Sequence, residues 1–534
     1  MFDDILVIVG QFGTYQKRIY FLLCLPAITC AVHLVSSVFI LASPRHRCFL
    51  PDWPNDTYAI QNVDHALLIN DTIPSAEPGS GAVYKPCHMY VANVTQVFSD
   101  PDYHPANRTV TCDKWTYDKA IFESTIVTKM DLVCELKDLK SHAQMIYMAG
   151  VLIGSLLFGI LSDIFGRKKI FFTGILLQLV TGLAAAWAPE YYTFIMLRML
   201  NGASNSAVFT NAFVLGVELV GPSKRVWAGI VIEYFFALGI VLLAGIAFLI
   251  RNWRYLQIAV SLPSALFLVY WWIIPESPRW LIANKRLDEA EEILRHAAHV
   301  NKAKLPEKLF DEREKEVGGE STATYSAILH SPTLLTRSAI LFVNWLVISM
   351  VYYGLSLNSG NLAGDIYLNF FLVGLVEFPA YTLCLLLLDR IGRKSLYCAS
   401  MLSGGIACVC TIFPSLYANQ DLQWVTVILA MVGKLGAAAA FAIVYVYSSE
   451  LFPTVVRNSA LGAASMFARA GGMISPYISD MSDFVGGDIG KALPLLIFGV
   501  SAVVAGLLSL VLPETLNKKL PETIEDGEKL RQDI

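Results

Sequence analysis

Charge is scarce in this chain. Only 16% of its 534 residues are Asp, Glu, Lys or Arg, while 55% are hydrophobic; a soluble domain carries about a quarter charged residues. That deficit excludes a soluble domain of this size and leaves membrane insertion. The formal net charge of −4 excludes the basic footprint of a nucleic-acid binder. Metal-ligand spacings, a glycine-rich phosphate loop and a nucleophile–base constellation are also missing from the sequence. Neither ATP-driven pumping nor covalent catalysis is expected, so no enzyme and no cofactor are read here. Met1 to Arg18 is mixed polar, and the first apolar run is too long for the core of a signal peptide. No lipidation motif or terminal retrieval signal is seen.

Twelve apolar runs are present, at 19–42, 141–162, 170–188, 191–217, 226–250, 256–274, 337–357, 366–388, 396–416, 423–448, 457–478 and 491–512. Each is near the ~20 residues that cross a bilayer core as a helix. The fold class expected is therefore an all-α membrane protein, twelve transmembrane helices in two six-helix halves. Lys17, Arg18, Arg167, Lys168, Lys169, Lys224, Arg225, the basic 279–315 stretch, Arg390, Arg393, Lys394 and Arg457 fall on one side, and Glu190, Asp365 and Asp480 on the other. Basic residues favour the cytoplasmic face, so both termini are expected there; Arg251 and Arg254 run against the bias.

The domain plan reads 1–18 as a cytoplasmic N-terminus and 19–274 as the first half. A cytoplasmic linker, 275–336, separates it from the second half, 337–512, and 513–534 is a cytoplasmic tail. The loop 43–140, expected outside, carries the sequons Asn55, Asn70, Asn93 and Asn107, and none lies elsewhere. It also holds Cys48, Cys87, Cys112 and Cys134. Glycosylation and two disulfides are expected, with three pairings open. In the linker, Leu287 to Ala298 has the pattern of an amphipathic helix.

The chain is a duplication. Asp163-Ile-Phe-Gly-Arg-Lys168 between the second and third runs returns about 226 positions later as Asp389-Arg-Ile-Gly-Arg-Lys394. Glu218 and Arg225 after the fourth run match Glu450 and Arg457 after the tenth, each pair spanning a proline. Arg198 and Lys434 occupy similar places early in the same two runs. These ten residues, Asp163, Arg167, Arg198, Glu218, Arg225, Asp389, Arg393, Lys434, Glu450 and Arg457, are read as two interfacial ion-pair networks that open and close as gates.

Asp-x-x-Gly-Arg-Lys in both halves resembles the major facilitator superfamily. Pro275-Glu-Ser-Pro-Arg-Trp-Leu281 and Pro513-Glu-Thr515 resemble its sugar-porter-like branches. Gln11-Phe-Gly-Thr-Tyr-Gln-Lys-Arg18, the large loop, and the segment Asp113-Lys-Trp-Thr-Tyr-Asp118 through Asp131-Leu-Val-Cys134 resemble the organic cation/anion/carnitine transporter family, invertebrate type, over nearly the whole chain. One departure is Ile164, where the family's first turn carries Arg or Lys. The resemblance implies a plasma-membrane carrier of small organic ions working by alternating access, with sodium or proton coupling.

Ionisable groups at depth in a span are functional candidates. Glu377 and Tyr381 share a helix face, as do Phe441 and Tyr445; Tyr352, Tyr353, Glu233, Tyr234 and Phe236 add further acidic and aromatic character. Acids among aromatic faces suit an organic cation. Arg469, in Phe467-Ala-Arg-Ala-Gly-Gly472, stands at a place that resembled cation carriers fill with an acid and anion or carnitine-type carriers with a base. Anion carriers add a base in the eighth run, where this chain has Tyr381. Arg469 facing Glu377 is thus expected to flank a cation or zwitterion. An organic anion carrier, a sugar porter and a non-transporting receptor or scaffold are the alternatives. His33 and His142 are read as structural.

Overall fold

The computed structural model describes residues 2–51, 53–75, 84–91, 108–306, 309–310, 331–417, 422–453, 456–485, 487–518, 521 and 524–529. Asn93, Asn107 and linker residues 311–330 lie outside them. Twelve helices are arranged as two sets of six. In the first half they are α1 (Thr14–Val35), α2 (Asp138–Phe165), α3 (Arg167–Ala186), α4 (Tyr191–Leu219), α5 (Arg225–Leu249) and α6 (Trp253–Trp272). In the second they are α7 (Pro332–Leu357), α8 (Ile366–Ile391), α9 (Arg393–Cys410), α10 (Trp424–Leu451), α11 (Arg457–Ser479) and α12 (Gly487–Ser509).

Ten of the twelve are long and apolar enough on their own to cross a membrane; α4 and α11 are not. α4 carries Arg198, Asn201, Asn205 and Asn211, all buried, so its polarity is turned onto its neighbours and hidden from lipid. Glycines let these helices approach. A methyl group added at Gly150 of α2 or Gly202 of α4 would overlap the carbonyl of Met199 or Tyr147 on the facing helix, the small-residue packing that membrane helices favour. At the end carrying residues 43–140, the loop end, the chain leaves α1 and returns to α2. The opposite end, the turn end, holds the two Asp-x-x-Gly-Arg-Lys turns.

The loop is a small domain. Strand β1 (His46–Cys48) pairs antiparallel with β4 (Trp115–Tyr117), and β2 (His88–Tyr90) with β3 (Thr109–Thr111). A helix, Val63–Thr72, starts at Asn62, whose side chain accepts the His65 amide at 2.8 Å. Beneath it Asp56 accepts from Arg47 at 2.6 and 3.0 Å, from Thr116 at 3.1 Å and from the Leu50 amide at 3.0 Å, with His65 Nε2 at 2.9 Å. Burial alone would raise the Asp56 carboxyl, but these hydrogen bonds and the Arg47 charge outweigh it and hold the group below its ordinary value. Cys48 sits beside Cys112 and Cys87 beside Cys134, with Cα separations of 5.7 Å in both pairs, a span that disulfides bridge.

At the turn end, the helix Phe2–Val9 and the linker helix Leu287–Asn301 lie against the first half. Asn301 ties them together, accepting from the Tyr15 amide at 3.0 Å and donating to the Val9 carbonyl at 3.0 Å and to Gln16 at 2.8 Å.

Candidate functional site

The duplicated turns are built alike. Gly166 (φ 103°) closes α2 and Gly392 (φ 104°) closes α8, a backbone region that favours glycine. A methyl group at either position would also overlap a carboxylate, Glu276 at the first turn and Glu514 at the second. Those carboxylates cap the helices that follow: Glu276 accepts the amides of Lys168 and Ser277 at 3.0 Å each, and Glu514 those of Arg393 and Thr515 at 2.9 Å each. Burial pushes the Glu514 carboxyl up, but the amides donated to it prevail and hold it below its usual range. The sequence signal for these caps is Pro-Glu followed by Ser or Thr after α6 and α12.

Beside each cap lies one arginine between two acids. Arg167 meets Asp163 at 2.7 Å and Glu218 at 3.7 Å; Arg393 meets Asp389 and Glu450, both at 3.1 Å. Both networks are internal to one half. Three of the ten residues expected in them, Arg198, Arg225 and Lys434, stand elsewhere, while Arg457 lies near enough to Glu450 for their charges to attract. Arg225 pairs with Asp3 of the N-terminal helix. Arg457 donates to the Phe452 carbonyl at 3.3 Å.

Arg198 and Lys434 were expected at helix ends with the turn charges; both instead lie inside the bundle. Lys434 is about 24 Å along the α10 axis from Glu450 at 1.5 Å per residue. Arg198 is buried with its guanidinium 4.4 Å from the Tyr147 ring, and it donates to Gln144 at 3.0 Å and to the His33 carbonyl at 3.3 Å. Among the described residues no carboxylate pairs with it.

Lys434 does have a carboxylate, and it is Glu377, the acid expected to face Arg469 across the substrate. Lys434 Nζ lies 2.8 Å from Glu377 Oε1, both side chains having 0% exposure. The ammonium also donates to Ser356 at 2.8 Å and sits 3.2 Å from the centre of the Tyr352 ring. Tyr381 donates to Glu377 at 3.0 Å. Pro379 has no N–H to return to the preceding turn, so α8 is interrupted at Val376, between Ile366–Leu375 and Glu377–Ile391. That break places Glu377 at a helix start facing Lys434.

Around this pair the expected aromatics gather. Tyr352 lies 5.2 Å from Tyr353 and 5.1 Å from Phe441, and Phe441 lies 5.8 Å from Tyr445. Trp345, which the sequence reading passed over, adds an edge to Tyr445 at 4.5 Å. From the other half Tyr234 donates to or accepts from Thr382 at 2.7 Å and meets Tyr381 edge-on at 5.6 Å. Phe236 faces away, packed on Phe209 of its own half at 5.8 Å. Glu233 lies near Glu377, and Arg469 beside the Tyr353 hydroxyl. Both are close enough for their charges to act on Tyr353 and Tyr445. Among the described residues neither Glu233 nor Arg469 has an ion-pair partner.

The two halves also meet at the loop end, through residues the sequence reading did not single out. Asp480, just past the end of α11, accepts from Ser141 of α2 at 2.6 Å and lies 2.8 Å from the Lys140 ammonium. Phe39 stacks on Tyr367 at 5.6 Å, and the Tyr367 hydroxyl donates to the Ile121 carbonyl at 3.2 Å. These contacts tie the two halves together at that end.

Comparison with known proteins agrees with this architecture. Residues 99–526 match the model of the family described as "Sugar (and other) transporter". The chain is 43% identical to the organic cation transporter protein of Drosophila melanogaster, over 99% of this chain and 94% of the relative. It is 35% identical to the beta-alanine transporter of the same fly, over 99% and 89%, and 34% identical to human organic cation/carnitine transporter 2, over 98% and 93%. In fold it is similar to the xylose transporter XylE from E. coli in a partially occluded inward-open conformation. The TM-score is 0.62 at 16% identity, with 95% of this chain and 100% of that chain covered.

Proposed function

The chain belongs to the sugar (and other) transporter family of the major facilitator superfamily, in its organic cation/anion/carnitine branch, and from that premise we propose that it carries small organic cations and zwitterions. One observation carries the reading: Lys434 pairs with Glu377, which leaves Glu233 on one half and Arg469 on the other beside an aromatic cluster, neither with an ion-pair partner among the described residues. A substrate ammonium is held by Glu233 and the faces of Tyr234 and Tyr381, by Coulomb attraction and cation–π contact. A substrate carboxylate is held by Arg469. Beta-alanine and carnitine, which two relatives bear in their names, each combine an ammonium with a carboxylate.

Alternating access moves the site between the two faces of the membrane. In our reading the loop end is outside and the turn end cytoplasmic, in the plasma membrane, supported by the basic residues at the turns. Lys140, Ser141 and Asp480 act as the outer latch, while Arg167 and Arg393 brace each half at the inner face. Cys48–Cys112 and Cys87–Cys134 are disulfides, and Asn55 and Asn70, both exposed, carry glycans together with Asn93 and Asn107. The linker 275–336 separates the halves 19–274 and 337–512, between cytoplasmic ends 1–18 and 513–534.

Uptake of a quaternary ammonium, carnitine, beta-alanine, a dicarboxylate and a hexose, each with and without sodium and across a pH step, tests this. Saturable uptake of the zwitterions and the quaternary ammonium is expected. Transport confined to the dicarboxylate or the hexose would replace the reading with an anion carrier or a sugar porter. No uptake of any probe at normal surface expression would point to a receptor or scaffold.

A further inference from the structure

Outside the transport path, a groove at the turn end runs between the starts of α1 and α3, the end of α6 and the linker helix. Its charges are not balanced. Four basic side chains, Arg18, Lys168, Lys169 and Arg286, line it against three acids. Glu289 pairs with Arg286 at 2.6 Å, and Glu276 lies near enough to Lys168 for their charges to attract, which leaves Arg18 and Lys169 against Glu292. Arg18 and Lys169 are exposed, and among the described residues no acid pairs with either. The Lys168 ammonium hovers 5.0 Å from the Trp271 ring. Beside the basic residues the lining turns apolar and outward: Trp272 is 80% exposed, with Phe21 and Ile273 also uncovered.

Cations side by side with exposed aromatic and aliphatic side chains at the end of a membrane helix match the headgroup level of a leaflet. Tryptophan belongs at the headgroup level, and basic side chains reach up from the same depth to a phosphate. We infer that the groove is a binding site for one anionic glycerophospholipid. Arg18, Lys168 and Lys169 hold its headgroup, and its acyl chains lie on Phe21, Trp272 and Ile273. Basic pockets between membrane helices on the cytoplasmic side take acidic headgroups in this way, which agrees with the orientation proposed above. Because the groove is bounded on one side by the linker helix and on another by the start of α3, the lipid clamps the linker onto the first half.

The test is native mass spectrometry of the full-length transporter, purified with phosphatidylcholine alone or with phosphatidylserine or phosphatidylinositol phosphate added. One retained acidic lipid per chain is expected, against none of phosphatidylcholine. Each basic residue near an anionic surface contributes roughly fivefold in affinity. Lys168→Gln with Lys169→Gln should therefore lower retention by about 25-fold. Arg18→Gln with Trp272→Ala, remote from the turn backbone, should lower it independently, so that a folding defect in the first variant does not decide the matter. Equal retention of phosphatidylcholine, or unchanged retention in both variants, would overturn the inference. So would displacement of the lipid by equimolar soluble inositol phosphate, since the site would then read phosphate and not a lipid.

Discussion

Lys434 and Glu377 form an ion pair of 2.8 Å with neither side chain reaching the surface. Two charges are tolerated there because each is the other's counter-ion, and because Ser356 and Tyr381 hydrogen-bond to them. Removing one partner strands the other. Lys434→Met or Glu377→Gln alone should therefore destabilise the folded protein by about 3–5 kcal/mol. The double variant should recover most of the loss, measured as thermal stability in detergent. Additive losses would show that the two groups do not act as a pair.

Charge selection follows from what that pair leaves over. Glu233→Gln should weaken cation and zwitterion uptake together, whereas Arg469→Gln should weaken zwitterions and spare simple cations. Truncating one member of a desolvated charge pair costs about 2–5 kcal/mol, more than tenfold in apparent affinity. Equal losses for both substrate types in Arg469→Gln would give Arg469 a general structural role instead.

The outer latch is partly hydrated, with Lys140 and Asp480 side chains 20% and 13% exposed, so its contribution is small. Asp480→Asn should shift the conformer ratio by on the order of 1 kcal/mol, roughly fivefold. The shift is read as faster thiol labelling of a cysteine placed at Tyr353 from the loop side. Exchanging the two charges, Lys140→Asp with Asp480→Lys, should slow labelling again. Labelling that ignores both changes would remove the pair from the latch.

At the turns, Gly392→Ala should cost on the order of 1–3 kcal/mol for the positive-φ backbone alone. It also displaces Glu514 from the start of α9. Maximal velocity should fall more than apparent affinity, because the aromatic cluster is untouched. The same direction is expected for Asp389→Ala. Unchanged turnover at matched surface expression would separate the turn from the conformational cycle.

Acid should loosen the loop domain before the spans. The folded Asp56 carboxyl titrates below its unfolded value, near 3.9. Its stabilisation is therefore complete above that value and is lost as pH falls through the folded one. Hydrogen-exchange protection around Asp56 should drop as pH falls below about 4, and Asp56→Asn should be weakened already at neutral pH, with a flatter pH dependence. Retained protection in Asp56→Asn would place the loop's stability in its cysteine pairs instead.

The number of spans, the duplicated turns, the loop and the family were legible in the sequence because each is a local property. A bilayer core has one thickness, so some twenty largely apolar residues announce a span wherever they occur, and α4 and α11 were read as such runs although their buried polar residues leave them less apolar than the other ten. The glycine of each turn is likewise demanded by its own backbone angle. Partners were another matter. Depth in the membrane can be counted along a helix at 1.5 Å per residue, but the neighbour a side chain meets depends on how each helix is rotated and how closely glycines such as Gly150 and Gly202 let the next one approach. That rotation gave Glu377 to Lys434 and left Arg469 to Tyr353. It also sent Arg225 to Asp3 and set Ser141 against Asp480, 339 positions away. A buried charge accepts whichever counter-charge the packing brings within reach, and only the folded bundle determines which one that is.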